Sequence, residues 1–174
     1  KFDANDDFKK LDSAVFGKNG LQQLLRKQGL VAELPENKDE DSFFESLGLQ
    51  MMERGIYRSK QTKSDVSTDE MIRDLRYQVS RHMASNMERF MKLMNIGAAE
   101  FTDHLERVTR LNAKMGGPEI LAAAECFGVK ITCLLVSVRG VDIRSFTPSS
   151  NELNAEELFL INAGSFYWAA RPKS

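Results

Sequence analysis

Between Thr68 and Leu111 the apolar residues recur in steps of three and four; past Gly128 that period stops and a β-branched run begins. The switch is the strongest constraint on the fold. Ile72, Leu75, Val79, Met83, Met87, Phe90 and Met94 lie on one face of a long helix, or of two helices broken near Ser85-Asn86. Ser67-Thr68-Asp69-Glu70 is a capping-box pattern and marks where it starts. Phe101, Leu105, Val108 and Leu111 predict a further helix over 98–112. By contrast, 129–138 reads as a buried strand, 141–146 alternates as a strand does, and 158–163 and 166–170 read as two strands joined at Gly164-Ser165. Helices first and strands afterwards imply an α+β domain, its sheet packed against helices that predominate in the N-terminal two-thirds.

Upstream, Leu21, Leu24 and Leu25 have helical spacing and Gly29 stops them. Residues 34–41 form a polar, acidic loop. Ser42 then opens a helix over about 43–54 that carries Phe43, Phe44, Leu47, Met51 and Met52. After the loop expected over 58–66 and the long helical middle, Met115-Gly116-Gly117-Pro118 makes a turn that feeds a short alanine-rich helix ended by Gly128. Residues 1–19 lack periodicity and read as an N-terminal extension packed partly on the domain of residues 20–174.

With 174 residues, 42% hydrophobic and 28% charged, the chain suits one soluble domain and argues against disorder. A net charge of -1 disfavours nucleic acid as a partner, since phosphate binding leaves a basic excess. No apolar run reaches membrane-spanning length. The two cysteines, Cys126 and Cys133, sit in apolar periodic contexts and read as buried small hydrophobes. Such usage fits a reducing intracellular compartment, cytoplasm or nucleus. A chain that begins at Lys1 reads as a piece of a longer protein.

The only histidines, His82 and His104, lie in helical patterns beside charged neighbours and read as partly exposed helix residues. No His and Cys have ligand spacing, so neither a metal nor a cofactor is expected. Met83, Met87, Met91 and Met94 have two readings: a core stripe, or an adaptable docking face for a protein partner.

The order of these features resembles the ovarian-tumour (OTU) family of papain-like deubiquitinating cysteine proteases, over roughly residues 20–172. That family has an Asp-Gly-Asn-Cys loop whose cysteine opens a helix, a Trp-Gly-Gly turn before an alanine-rich helix, and a terminal His-Tyr on a strand. Asp39-Glu40-Asp41-Ser42, Met115-Gly116-Gly117 and Phe166-Tyr167 fall on these in turn. The resemblance implies a central, mostly antiparallel sheet between helices, with Ser42 at a helix start facing the strand that carries Phe166.

It also implies loss of catalysis. Ser42 stands at the nucleophile, Phe166 at the base, Trp168 at the residue that orients the base, and Glu40 at the loop glycine. A papain-like mechanism needs a thiolate beside an oriented imidazole. Asp39, Glu40 and Asp41 would further oppose the negative charge that develops on the substrate, or else attract a basic peptide such as the ubiquitin tail. Phe166 and Trp168, alternate residues on a strand, would share a face and fill the old groove with packed rings. The expectation is a non-enzyme, a pseudo-deubiquitinase serving as a protein-interaction module within a larger protein. The alternatives are a non-cleaving reader of ubiquitin or a ubiquitin-like protein, and a weak serine-based deubiquitinase using Ser42.

Overall fold

The computed structural model describes residues 20–33, 40–57, 67–137, 139–148, 154–163 and 166–172. The extension expected over 1–19, the polar loops over 34–39 and 58–66, and the Gly164-Ser165 turn lie outside the described residues.

The described elements run α1 (Gly20–Lys27), β1 (Leu30–Glu33), α2 (Ser42–Glu53), α3 (Thr68–Ser85), α4 (Met87–Met94), α5 (Ala98–Val108), α6 (Gly117–Phe127), β2 (Lys130–Ser137), β3 (Gly140–Phe146), β4 (Glu157–Ala163) and β5 (Phe166–Pro172). The capping signal at Ser67 is realised, its Oγ accepting the Glu70 N–H at 3.2 Å. The helical stripe breaks at Asn86, between α3 and α4. Gly128 ends α6 at φ 64°, a conformation that costs glycine nothing.

The five strands are ordered β1-β5-β4-β2-β3. β2 and β4 pair in parallel and the other neighbours antiparallel. β4 and β5 meet in the register Ala163↔Phe166, as the expected hairpin requires. β1 was not legible in the sequence, because four residues, Leu-Val-Ala-Glu, are too short to display an alternation.

Strand alternation divides the core in two. On one face, Ile131, Cys133, Leu158, Leu160 and Tyr167 pack with the apolar sides of α2 to α6. On the other, Leu134, Val136, Ile161, Trp168 and Ala170 pack with Leu25 of α1 and Leu30 of β1. Among the described residues the sheet therefore lies between a thick helical layer and the helix α1. Ser42 and the start of β5 meet in the thick layer.

Candidate functional site

Helix α2 carries a polar stripe at one-turn spacing, Ser42, Ser46 and Gln50, all buried. Its partners are main-chain groups of the sheet. The Tyr167 N–H donates to Ser42 Oγ at 2.9 Å, Ser46 Oγ donates to the Tyr167 carbonyl at 3.2 Å, and Gln50 Nε2 donates to the Phe159 carbonyl at 3.1 Å. Among the described residues β1 pairs with β5 over Ala169–Pro172, and the Tyr167 N–H and C=O are met by two hydroxyls from α2, as buried main-chain groups require.

Ser42 is thus at a helix start and against the strand that carries Phe166, but the side chain on its face is that of Tyr167. The Tyr167 ring packs edge-on against Phe43, with centroids 5.2 Å apart. Burial first, then the neighbouring Cys133, Glu40 and Glu119, push its phenol up to about 12. Phe166 and Trp168 belong to the opposite face, packed with Ile161 and Leu134 beneath α1. The expectation that Phe166 and Trp168 share a face and fill the groove beside Ser42 is therefore corrected: the face they share packs beneath α1, and the alternate face, that of Tyr167, meets α2. Tyr167 occupies the groove-facing position, and the residue two further on along that face is the buried Ala169, not Trp168.

The acidic run is turned inward. Asp41 is buried and accepts from Arg76 Nε at 2.9 Å and Nη2 at 2.7 Å. It also accepts the Asn112 N–H on both oxygens, at 2.8 and 2.9 Å. Arg76, with no exposed surface, donates further to the carbonyls of Val108 at 3.1 Å and Ala113 at 3.0 Å, and stacks over Phe44 at 4.9 Å. The Asp41 charge is thus compensated and does not burden an oxyanion position as expected from sequence. Glu40 accepts the Met115 N–H at 3.3 Å. Asp39 lies outside the described residues. The sequence reading missed Arg76 altogether. The signal was there: Arg76 falls one turn after Ile72, inside the apolar stripe.

His104 pairs with Glu119, whose other oxygen accepts the Gly116 N–H at 2.7 Å. His82 pairs with Glu125, which also binds Arg89. Neither histidine hydrogen-bonds Ser42. Of the four methionines, Met83 is fully buried, Met91 and Met94 are half-buried against the core, and Met87 is exposed. The stripe is mainly core, not a continuous docking face. Cys133 is buried and Cys126 half-buried, both free. Among the described residues, no three of His, Cys, Asp and Glu converge as metal ligands, and no helix is long and apolar enough to cross a membrane.

No family model and no curated protein sequence matches the chain. Solved structures do. The OTU domain of OTUD1 matches at TM-score 0.66 and 16% identity, covering 87% of this chain and 91% of that one. The OTU of Hazara virus bound to ubiquitin matches at TM-score 0.56 and 18% identity, covering 83% and 82%. An ovarian-tumour domain in complex with ubiquitin matches at TM-score 0.58 and 17% identity, covering 81% and 69%. The architecture is that of an OTU domain: this chain adopts the OTU fold, with Ser42 at the start of the helix after the acidic loop and Tyr167 on the strand facing it.

Proposed function

We propose that this chain is a catalytically inactive OTU-fold domain that works as a protein-interaction module. The observation that carries the reading is the bond between Tyr167 N–H and Ser42 Oγ. It employs the hydroxyl at the nucleophile position as a structural acceptor, in a fully buried setting, with an aromatic ring where an imidazole would have to stand. General-base help is typically worth about 10² to 10⁴ in rate, and a phenol whose pKa is pushed up to about 12 is a protonated group at neutral pH. The serine-hydrolase alternative therefore lacks both access and a base. The free cysteines fit a reducing compartment, cytoplasm or nucleus.

A second reading, a non-cleaving ubiquitin reader, is favoured by two of the similar structures: an ovarian-tumour domain in complex with ubiquitin, and the Hazara virus OTU bound to ubiquitin. The fold retains the sheet and α2, and with them a surface on which such a partner could dock without being cut.

One pair of experiments tests both. Incubation with di-ubiquitin of every linkage should release no monomer. Titration of isotope-labelled ubiquitin with the domain then decides the partner: localised shifts on ubiquitin establish the reader, and their absence leaves the wider interaction module. Cleavage that disappears in Ser42→Ala would overturn the proposal.

A further inference from the structure

A cleft of about 700 Å³ opens between the end of α4, the last turns of α5 and the segment 111–116. That volume is in the range of ligand-binding clefts. Its floor is apolar and contains two methionines: Met94 and Met115 join Val108 and Leu111. Its charged lining is almost entirely cationic, Arg107, Arg110 and Lys114. Arg107 and Lys114 are exposed and have no ion-pair partner among the described residues. Arg110 pairs with Glu106, but both side chains are largely in water and the pair is weak. The lining carboxylate, Glu119, is already bound to His104 and to the Gly116 amide.

We infer that this cleft is a docking site for an acidic peptide segment that carries an apolar side chain between its carboxylates. Three features of the cleft select that occupant. The exposed cations are complementary to acidic side chains and repel a basic tail, so the site is opposite in sign to what the Asp39–Asp41 run suggested. The apolar floor offers burial to a side chain of the ligand, and methionines adapt to varied shapes. Finally, the loop amides that would hold a compact anion are taken. Asn112 donates to Asp41, Met115 to Glu40 and Gly116 to Glu119. The same three bonds fix the wall of the cleft to the segment that precedes Ser42 and to α6, so the site is built in advance of its ligand. What is left for a ligand is a row of separate side-chain cations along a greasy trough, which matches a peptide and not a phosphate ion.

The inference is independent of whether the domain cuts or binds ubiquitin. The test uses the intact chain and three probes: a short fluorescent peptide of glutamates interrupted by leucines, the same peptide with lysines in place of glutamates, and inorganic phosphate. Anisotropy measures affinity, and amide shifts in the isotope-labelled chain locate the site. The acidic peptide should bind, shifting Leu111, Lys114 and Met115, with affinity that falls as salt is added. The lysine peptide should not bind. Arg107→Glu with Lys114→Glu, both exposed and so neutral to folding, should weaken the acidic peptide by about tenfold or more at an unchanged melting temperature. Equal binding of both peptides, shifts confined to another face, or phosphate alone reproducing the peptide's shifts would each overturn the inference. Cleavage of di-ubiquitin, by contrast, would sink the inactive-domain reading and leave this one standing.

Discussion

The main-chain N–H of Tyr167 ends on the side-chain oxygen of Ser42, 2.9 Å away, and the Tyr167 carbonyl is held by Ser46 one turn further along α2. The Ser42 hydroxyl is thus half of a two-point clasp between helix and strand.

Removing the acceptor should therefore cost stability. Ser42→Ala leaves the Tyr167 amide buried and unpaired, which is worth about 1 to 3 kcal/mol. Ser46→Ala should cost a similar amount. Because the two hydroxyls clasp the same residue, the double variant should not simply sum the singles. Urea unfolding of the three variants measures this, and a Ser42→Ala domain as stable as its parent would refute the clasp.

The Asp41–Arg76 pair predicts a larger effect. Both partners are buried, and Arg76 also holds the Val108 and Ala113 carbonyls. Replacing Arg76 by Leu removes the charge that compensates a buried carboxylate, and such losses run about 3 to 5 kcal/mol. The exposed Glu106–Arg110 pair supplies the control, where Arg110→Ala should change stability by less than about 1 kcal/mol. Thermal melts that rank the two variants equally would count against the role given to Arg76.

How much of this was legible beforehand depends on the scale of the signal. The helices of 68–127 and the strands of 130–172 were legible because each repeats its apolar period several times. So was the position of Ser42, through the order of motifs around it. The strand register at 166–168 was not. Phe166, Tyr167 and Trp168 are all aromatic, so hydrophobicity cannot tell inward from outward, and only the pairing Asn162↔Tyr167 and the bond to Ser42 decide it. Arg76 was hidden for the opposite reason. A charged residue on an apolar stripe looks like a surface position until its partner, Asp41, is seen 35 residues away in the chain. β1 carried too few residues to show a pattern at all.

Alkaline pH should unfold the domain through the groups that burial protects. Tyr167 is pushed from 10.0 to about 12, and buried Cys133 from 9.0 to about 12. Each folded-state value lies above the unfolded one, so the unfolded chain gives up these protons first. The stability they contribute is complete below about pH 9 and is lost as pH rises toward 12. Tyr167→Phe should flatten the part of that decline between pH 10 and 12, read from urea midpoints across the range. A decline equally steep in Tyr167→Phe would assign it to other groups.

The face that β5 turns to Ser42 makes the sharpest prediction. If position 166 faced Ser42, Ser42→Cys with Phe166→His would bring a thiol and an imidazole together. Phe166 packs on the α1 face of the sheet, so that imidazole would sit on the wrong side, while Tyr167→His would sit on the α2 face with the thiol. A thiol beside an imidazolium ionises below its ordinary value of about 8.5, and a thiol in an apolar site ionises above it. Ultraviolet titration of the introduced thiolate should therefore move down in Ser42→Cys/Tyr167→His and stay at or above the ordinary value in Ser42→Cys/Phe166→His. Ubiquitin-chain cleavage should remain weak even in the better pair. Two residues on from 167 the groove-facing position holds Ala169, buried and without a polar atom to hold the ring. An unoriented imidazole costs about 10⁴ in turnover where it has been isolated. Adding Ala169→Asn is the change that should raise cleavage, and an equivalent Trp168→Asn should not, because Trp168 points to the other face. A thiol that titrates low with histidine at 166, or cleavage rescued from 168 and not 169, would show that position 166, not 167, meets Ser42.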